Sequence, residues 1–247
     1  MSTFVNKIIL VLSLTFLSSF VNASLITNGS FEQTVFNDNS TSIGAVFNKN
    51  LQTYNNNNNV WDVFYQLPGW VTTMGNGIEL QKNIVTQSQD GSNHVELDSH
   101  INGISNTVMT QTIESLTVGN QYLLEFYYKP RTINVNDNGI NVFWYDSAID
   151  FNLNLEAIFV ADSTSLLTKD WALQSVTFTA KAQSMNLSFG SIGTQNTLGG
   201  LIDNVSLKEV AVARATSVPE PSMLLLFLTA IVFLIIGKQK LASSTRS

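Results

Sequence analysis

There is no cysteine in the 247 residues. That one absence removes disulfide staples, thiolate metal sites and cysteine nucleophiles together. Histidine is scarce too, with only His94 and His100. The chain has no Gly-x-Ser-x-Gly, no zinc-ligand helix motif and no phosphate-cradling loop, so the common hydrolase, metalloprotease and nucleotide-binding constellations are missing. Positive charge is in the minority: 12 Lys and Arg against 18 Asp and Glu give a formal charge of −6. Several of those basic residues sit at the two ends, so the middle is more acidic still. An acidic middle lacks the basic face that nucleic acid requires, and no nucleic-acid partner is expected. Neutral glycans and divalent cations remain compatible with it. Sustained 3.6-residue periodicity is also absent, which leaves short strands as the building material.

Long apolar runs occur only at the ends. Met1 to Lys7 is short and carries one lysine, Ile8 to Val21 is mostly apolar, and Val21-Asn22-Ala23 ends in a small residue. Residues 1–23 therefore read as a signal peptide cut after Ala23 by signal peptidase, with an uncleaved anchor as the competing reading. At the other end, Met223 to Ile236 has no charge and one polar residue, Thr229, and is followed by Gly237, Lys238 and Lys240. A spanning helix needs about 20 apolar residues. The stretch from Val218 to Gly237 reaches that length if the lysines snorkel. It is apolar on every face, unlike a surface helix. The basic cluster would hold the C-terminus in the cytoplasm. A buried core helix is the alternative.

Two prolines in Pro219-Glu220-Pro221 exclude a helix before Ser222. Val-Pro-Glu-Pro, one hydrophobic span and a short basic tail occur here together and in order. Residues 218–241 thus resemble the PEP-CTERM sorting signal of Gram-negative bacteria, with Pro219, Glu220 and Pro221 as the signal residues. The resemblance implies export across the inner membrane, a membrane-anchored precursor, and processing by exosortase. The destination it implies is the cell surface or the extracellular matrix.

Between the ends lie about 190 residues, a one-domain length. Short apolar runs alternate there with Asn, Gly, Asp and Ser clusters, as in an all-β domain. Tyr122, Leu124, Phe126 and Tyr128 share one strand face, and Gly119-Asn120 before them signals a turn. Val176 and Phe178, then Met185, Leu187 and Phe189, then Val205 and Leu207 alternate in the same way. Further strands are expected at Leu25 to Asn28, Trp61 to Tyr65, Ile78 to Gln81, Val95 to Leu97, Val108 to Ile113, Ile140 to Tyr145 and Leu155 to Val160. About ten strands with one apolar face each require two facing antiparallel sheets. Residues 24–210 are the expected ectodomain. Residues 36–60, ending in Asn55 to Asn59, read as an exposed, partly disordered Asn-rich insert. Residues 211–217 read as a linker.

Leu25-Ile26-Thr27-Asn28-Gly29-Ser30-Phe31-Glu32, Leu67-Pro68-Gly69-Trp70, the Asp90-to-Ser99 stretch, Gln111-Thr112-Ile113, Trp171, Phe178-Thr179-Ala180 and Leu201-to-Leu207 follow in order. This series is similar to the galactose-binding-like jelly roll, the fold of many carbohydrate-binding modules. The resemblance implies a structural Ca²⁺ held by Glu32, Asp203 and the carbonyl of Ser30, joining the two ends of the domain. Hard cations take oxygen ligands of this kind. The alternative is that both carboxylates are solvated or bonded to strand-end amides.

His94, Glu96 and Asp98 share one strand face. They read as a solvated face rather than a glycosidase pair, although residues i and i+2 could meet the roughly 5 Å spacing of a retaining enzyme. Trp61, Trp144 and Tyr145 are the expected sugar-contacting aromatics, while Trp70 and Trp171 read as packing residues. The resulting expectation is a non-enzymatic surface or matrix protein, with polysaccharide as a partner. A lectin-like module of defined sugar specificity and a β-sandwich glycoside hydrolase are the alternatives. Mass spectrometry of the mature protein from its own host should place the N-terminus at Ser24. Deleting Pro219–Pro221 should alter maturation and surface display; unchanged maturation would refute the sorting assignment.

Overall fold

A computed structural model describes residues 23–54, 60–101, 104–152, 154–162 and 170–210. The signal peptide up to residue 22, the Asn55–Asn59 run, the linker and the sorting signal lie outside the described residues. Among the described residues no helix is long and apolar enough to cross a membrane.

Among the described residues twelve strands form two six-stranded sheets, and every pairing is antiparallel. Sheet one runs β1 (Trp61–Phe64), β4 (Ile78–Lys82), β5 (Asn93–Glu96), β12 (Leu201–Glu209), β7 (Gln121–Lys129), β10 (Ala172–Thr179). Sheet two runs β2 (Gln66–Leu67), β3 (Trp70–Met74), β6 (Val108–Ile113), β11 (Met185–Ile192), β8 (Gly139–Asp146), β9 (Phe159–Ala161). The chain crosses between sheets from β6 to β7 to β8, and again from β9 to β10 to β11 to β12. The result is a jelly-roll-like sandwich.

Period-2 patterning places the core. Tyr122, Leu124, Phe126 and Tyr128 of β7 are buried while the alternate residues are only half-buried. From the facing sheet come Trp70, Met109, Val142, Met185, Leu187 and Phe189. Aromatic rings join the layers: Phe189 lies 5.1 Å from Phe126 across the sandwich and 5.9 Å from Trp70 in its own sheet.

Three expected elements differ. Leu25 to Asn28 is no strand. Asn28 adopts φ 55°, and its side chain bonds Gln33 and the carbonyl of Pro68, which turns the chain. The segment still binds β12, through Leu25 N to Leu207 O (2.8 Å) and Val205 N to Gly29 O (2.9 Å). Only the last part of Leu155 to Val160 is a strand, and the residues before it form a loop. The Asn-rich insert is partly built in: Leu51 and Tyr54, on one helical turn (Leu51–Tyr54), are fully buried, and Tyr54 packs edge-on against Phe64. β2 and β3 were not expected, because Pro68-Gly69 masks the short hairpin that joins them.

Candidate functional site

The expected calcium site does not form. Among the described residues no group of three or more His, Cys, Asp or Glu side chains is placed to hold a metal ion. The carboxylates have taken backbone amides instead. Glu32 Oε1 accepts from the N–H groups of Ser92 (2.7 Å) and Asn93 (2.6 Å). Asp203 Oδ2 accepts from Gln89 (2.7 Å) and Asp90 (2.9 Å), and its Oδ1 from Asn204 (2.6 Å). Both acids thus grip one turn before β5, from opposite ends of the sequence. Gly91 inside that turn has φ +67°, and a Cβ there would meet Glu32 Cδ at 2.5 Å. Ser30, the third expected ligand, sits half-buried in the turn that precedes Glu32.

His94, Glu96 and Asp98 are not solvated; each is completely buried. Their face of β5 is covered by Arg131 and by the chain between Thr194 and Gly200. Glu96 pairs with Arg131, accepts from Gly199 N (2.7 Å), and shares Gln81 Nε2 (2.5 Å) with Glu79 (2.7 Å). Asp98 accepts from the N–H groups of Asn196 (3.1 Å) and Leu198 (3.0 Å). His94 lies between Ser88 (2.9 Å) and Gln81 (3.0 Å).

Glu79 and Glu96 are direct cross-strand partners in β4 and β5. The guanidinium of Arg131, paired with Glu96, is thus the nearby positive charge for two adjacent buried carboxyls. Burial first, and then the charge of Glu79, pushes Glu96 up to about 8, against the opposing pull of Arg131 and Gly199 N. Burial likewise raises Glu79 and lowers His94 to about 4, the latter helped by Lys129 and Arg131.

The three aromatic candidates fall in two places. Trp61 is half-buried between Phe47 (centroids 4.8 Å) and His100 (5.0 Å), so its ring is already engaged. Trp144 is 9% exposed, packs on Phe178 at 4.5 Å, and donates Nε1–H to Thr179 O. Tyr145 is 7% exposed, with its hydroxyl 3.1 Å from Ser188 Oγ and its ring beside Phe151.

Trp144 and Tyr145 nonetheless line a groove of about 760 Å³, together with Asp146, the Ile149 and Leu155–Ile158 loop, Val176–Phe178 and Lys181. The groove lies where β8 and the loop before β9 approach β10, the outer strand of sheet one. The residues around this space thus include two aromatics, two acids, a threonine and a lysine. That volume falls within the roughly 300–1,000 Å³ of small-ligand sites. Glu156, Thr177 and Lys181 were not anticipated. The alternation Asn152, Asn154, Glu156 reads as a strand face, so the available signal pointed away from a loop. A second hollow of about 560 Å³ is lined by Val135, Val160 and Ile192 together with Asn136, Asp162 and Thr194, with no aromatic residue among them.

The geometry defines a two-sheet antiparallel β-sandwich with one polar-aromatic groove at its sheet edges. No known family model matches the chain. A multifunctional-autoprocessing repeats-in-toxin protein of Vibrio vulnificus is 29% identical over 154 residues, which is 62% of this chain and 3% of that protein's length. Among solved structures, TmCBM61 in complex with beta-1,4-galactotriose aligns with 13% identity and a TM-score of 0.43, over 76% of this chain and 99% of that one. The endo-1,4-beta-D-xylanase 10B of Clostridium thermocellum aligns with 18% identity and a TM-score of 0.40, over 58% of this chain and 26% of that one. The K1 cleaved adhesin domain of Lys-gingipain from Porphyromonas gingivalis aligns with 14% identity and a TM-score of 0.38, over 61% and 94% respectively.

Two outcomes are expected. Thermal melting with excess calcium and with chelator should give the same midpoint, because the acids at both ends of the domain are held by amides; a calcium-dependent rise would restore the ion. A carboxyl raised in the folded state favours folding when neutral, so that contribution is complete below about 4.5 and lost as pH climbs through about 8. Stability should therefore decline across that window, and Glu96→Gln should flatten the decline. An unchanged slope in the variant would show that another group is responsible.

Proposed function

We propose that the domain is a non-catalytic binding module, and that the groove beside Trp144 and Tyr145 takes a saccharide. The observation that carries this reading is the lining itself. Trp144 and its apolar neighbours offer contact to sugar C–H groups, while Asp146, Glu156 and Lys181 offer hydrogen bonds to hydroxyls. Mixed charge in the groove suits a neutral glycan better than a strongly charged one. Non-catalytic use is supported by the placement of the paired carboxylates Glu79 and Glu96 beneath Arg131 and Gly199 rather than in the groove.

The two apolar termini extend the proposal to location. Signal peptidase removes residues 1–23, the C-terminal helix holds the precursor in the inner membrane, and exosortase acts at Pro219-Glu220-Pro221. The protein then contributes to the surface or the extracellular matrix of a Gram-negative cell, with polysaccharide as partner. A lectin-like module of defined sugar specificity is the sharper form of the same idea.

A hydrolase is the second reading, because Asp146 and Glu156 line the same groove. Trp144 is a poor probe of either reading, since its removal also opens the core against Phe178. Lys181 and Glu156 are exposed, and their side chains can be truncated without loss of packing. Each of Lys181→Ala and Glu156→Ala should weaken glycan binding about ten-fold, the worth of one hydrogen bond. Glycan-array and calorimetric measurements check this. Binding that survives both changes would move the site elsewhere, and turnover lost in Glu156→Gln would favour the hydrolase.

A further inference from the structure

Antiparallel sheets end in edges, and an exposed edge is a template for another strand. Four edges exist here, and three are blunted. The outer side of β1 is occupied by the preceding segment, with Ala45 N bonded to Val63 O at 2.7 Å and Gly44 bridged to Phe64. β2 has two residues and β9 has three. β10 is different. It runs for eight residues, Ala-Leu-Gln-Ser-Val-Thr-Phe-Thr, with no charge, no proline and no glycine, in unbroken register with β7.

The free backbone groups of β10 can be assigned. Ala180 N bonds Asn120 O at 3.0 Å, one step beyond the Thr179–Gln121 pair. Hydrogen-bonded and non-hydrogen-bonded pairs alternate along an antiparallel ladder. Even-numbered residues of β10 therefore bond β7, and odd-numbered ones direct N–H and C=O outward. Thr179 O is used by Trp144 Nε1. The backbone groups of Leu173, Ser175 and Thr177 remain, and no bond to them exists among the described residues. Leu173 is also 51% exposed.

We propose that β10 is the seam of a two-fold homodimer, in which a second copy adds its own β10 antiparallel to the first. The composition of the strand selects this occupant. With the two-fold axis at Ser175, Leu173 lies opposite the partner's Thr177 and Ser175 opposite the partner's Ser175, so no like charges meet. The nearest charges on that face, Glu125 and Lys208, lie 3.9 Å apart and offset one another. The contact is isologous and closes on itself, which an edge left open would not do. Strand pairing extends a sheet in its own plane, whereas the groove lies between the two sheet edges. The seam is argued from backbone groups alone, so the proposal stands independently of any sugar.

Sedimentation equilibrium of the purified full-length protein tests it. The expected result is a dimer. Ser175→Lys and Ser175→Glu should each weaken it about ten-fold or more, because like charges then face one another across the axis. An equimolar mixture of the two should restore association, as heterodimers. Ser175→Pro should also abolish pairing while leaving a cooperatively folded monomer whose melting midpoint no longer depends on protein concentration, since the N–H it removes points away from β7. A wild-type protein that stays monomeric at high concentration overturns the proposal. So does a dimer that persists in Ser175→Pro, or a mixture of Lys and Glu variants that fails to associate.

Discussion

Phe189 touches both layers of the sandwich, and the rest of the domain depends on the contact it makes. It leaves β11 toward Phe126 of β7 in the facing sheet, and Phe126 in turn meets Phe159. On its other side it meets Trp70, which packs on Phe31 near the start of the domain. Five rings thus connect the first loop, both sheets and the short edge strand β9. Each ring buries a large apolar area, and edge-on packing adds to that burial. In a chain without cysteine, this apolar seam performs the joining that covalent staples perform elsewhere.

Loops are fastened by a different device. Buried or half-buried carboxyl groups accept backbone N–H groups from segments far away in sequence: Glu32 and Asp203 hold the turn before β5, Asp98 and Glu96 hold the stretch before β12, and Asp62 holds Val46 and Phe47. Ordering these loops by buried acids has a consequence. Most of these carboxylate oxygens are taken up by backbone amides, whereas Asp146 and Glu156 line the groove.

The groove and the outer edge of β10 are neighbours because both arise from the same feature. β10 ends sheet one, and the loop before β9 stands off from it. Where two sheet edges diverge, side chains from both can line a space that neither sheet presents on its flat face. The β1 edge differs because the preceding chain folds back on it.

The alternation within the longer strands was legible from residue order alone, whereas the readings of the two ends lie outside the described residues. β6 coincides with the expected Val108 to Ile113, and β7 with the Tyr122-to-Lys129 pattern extended by one residue. Strand alternation is local, so a single chain carries it without reference to neighbours. The apolar termini are equally local signals. What only the tertiary structure decided was the environment of the polar residues. His94, Glu96 and Asp98 alternate as a water-facing set would, and they are buried because Trp171 packs on His94 while Arg131 and the Thr194–Gly200 segment, distant in sequence, fold over Glu96 and Asp98. The same applies to Glu32 and Asp203, whose partners are amides of a turn some sixty and a hundred and ten residues away. Burial and hydrogen bonding are properties of what arrives from elsewhere in the chain, and residue order fixes only which groups are available to meet it.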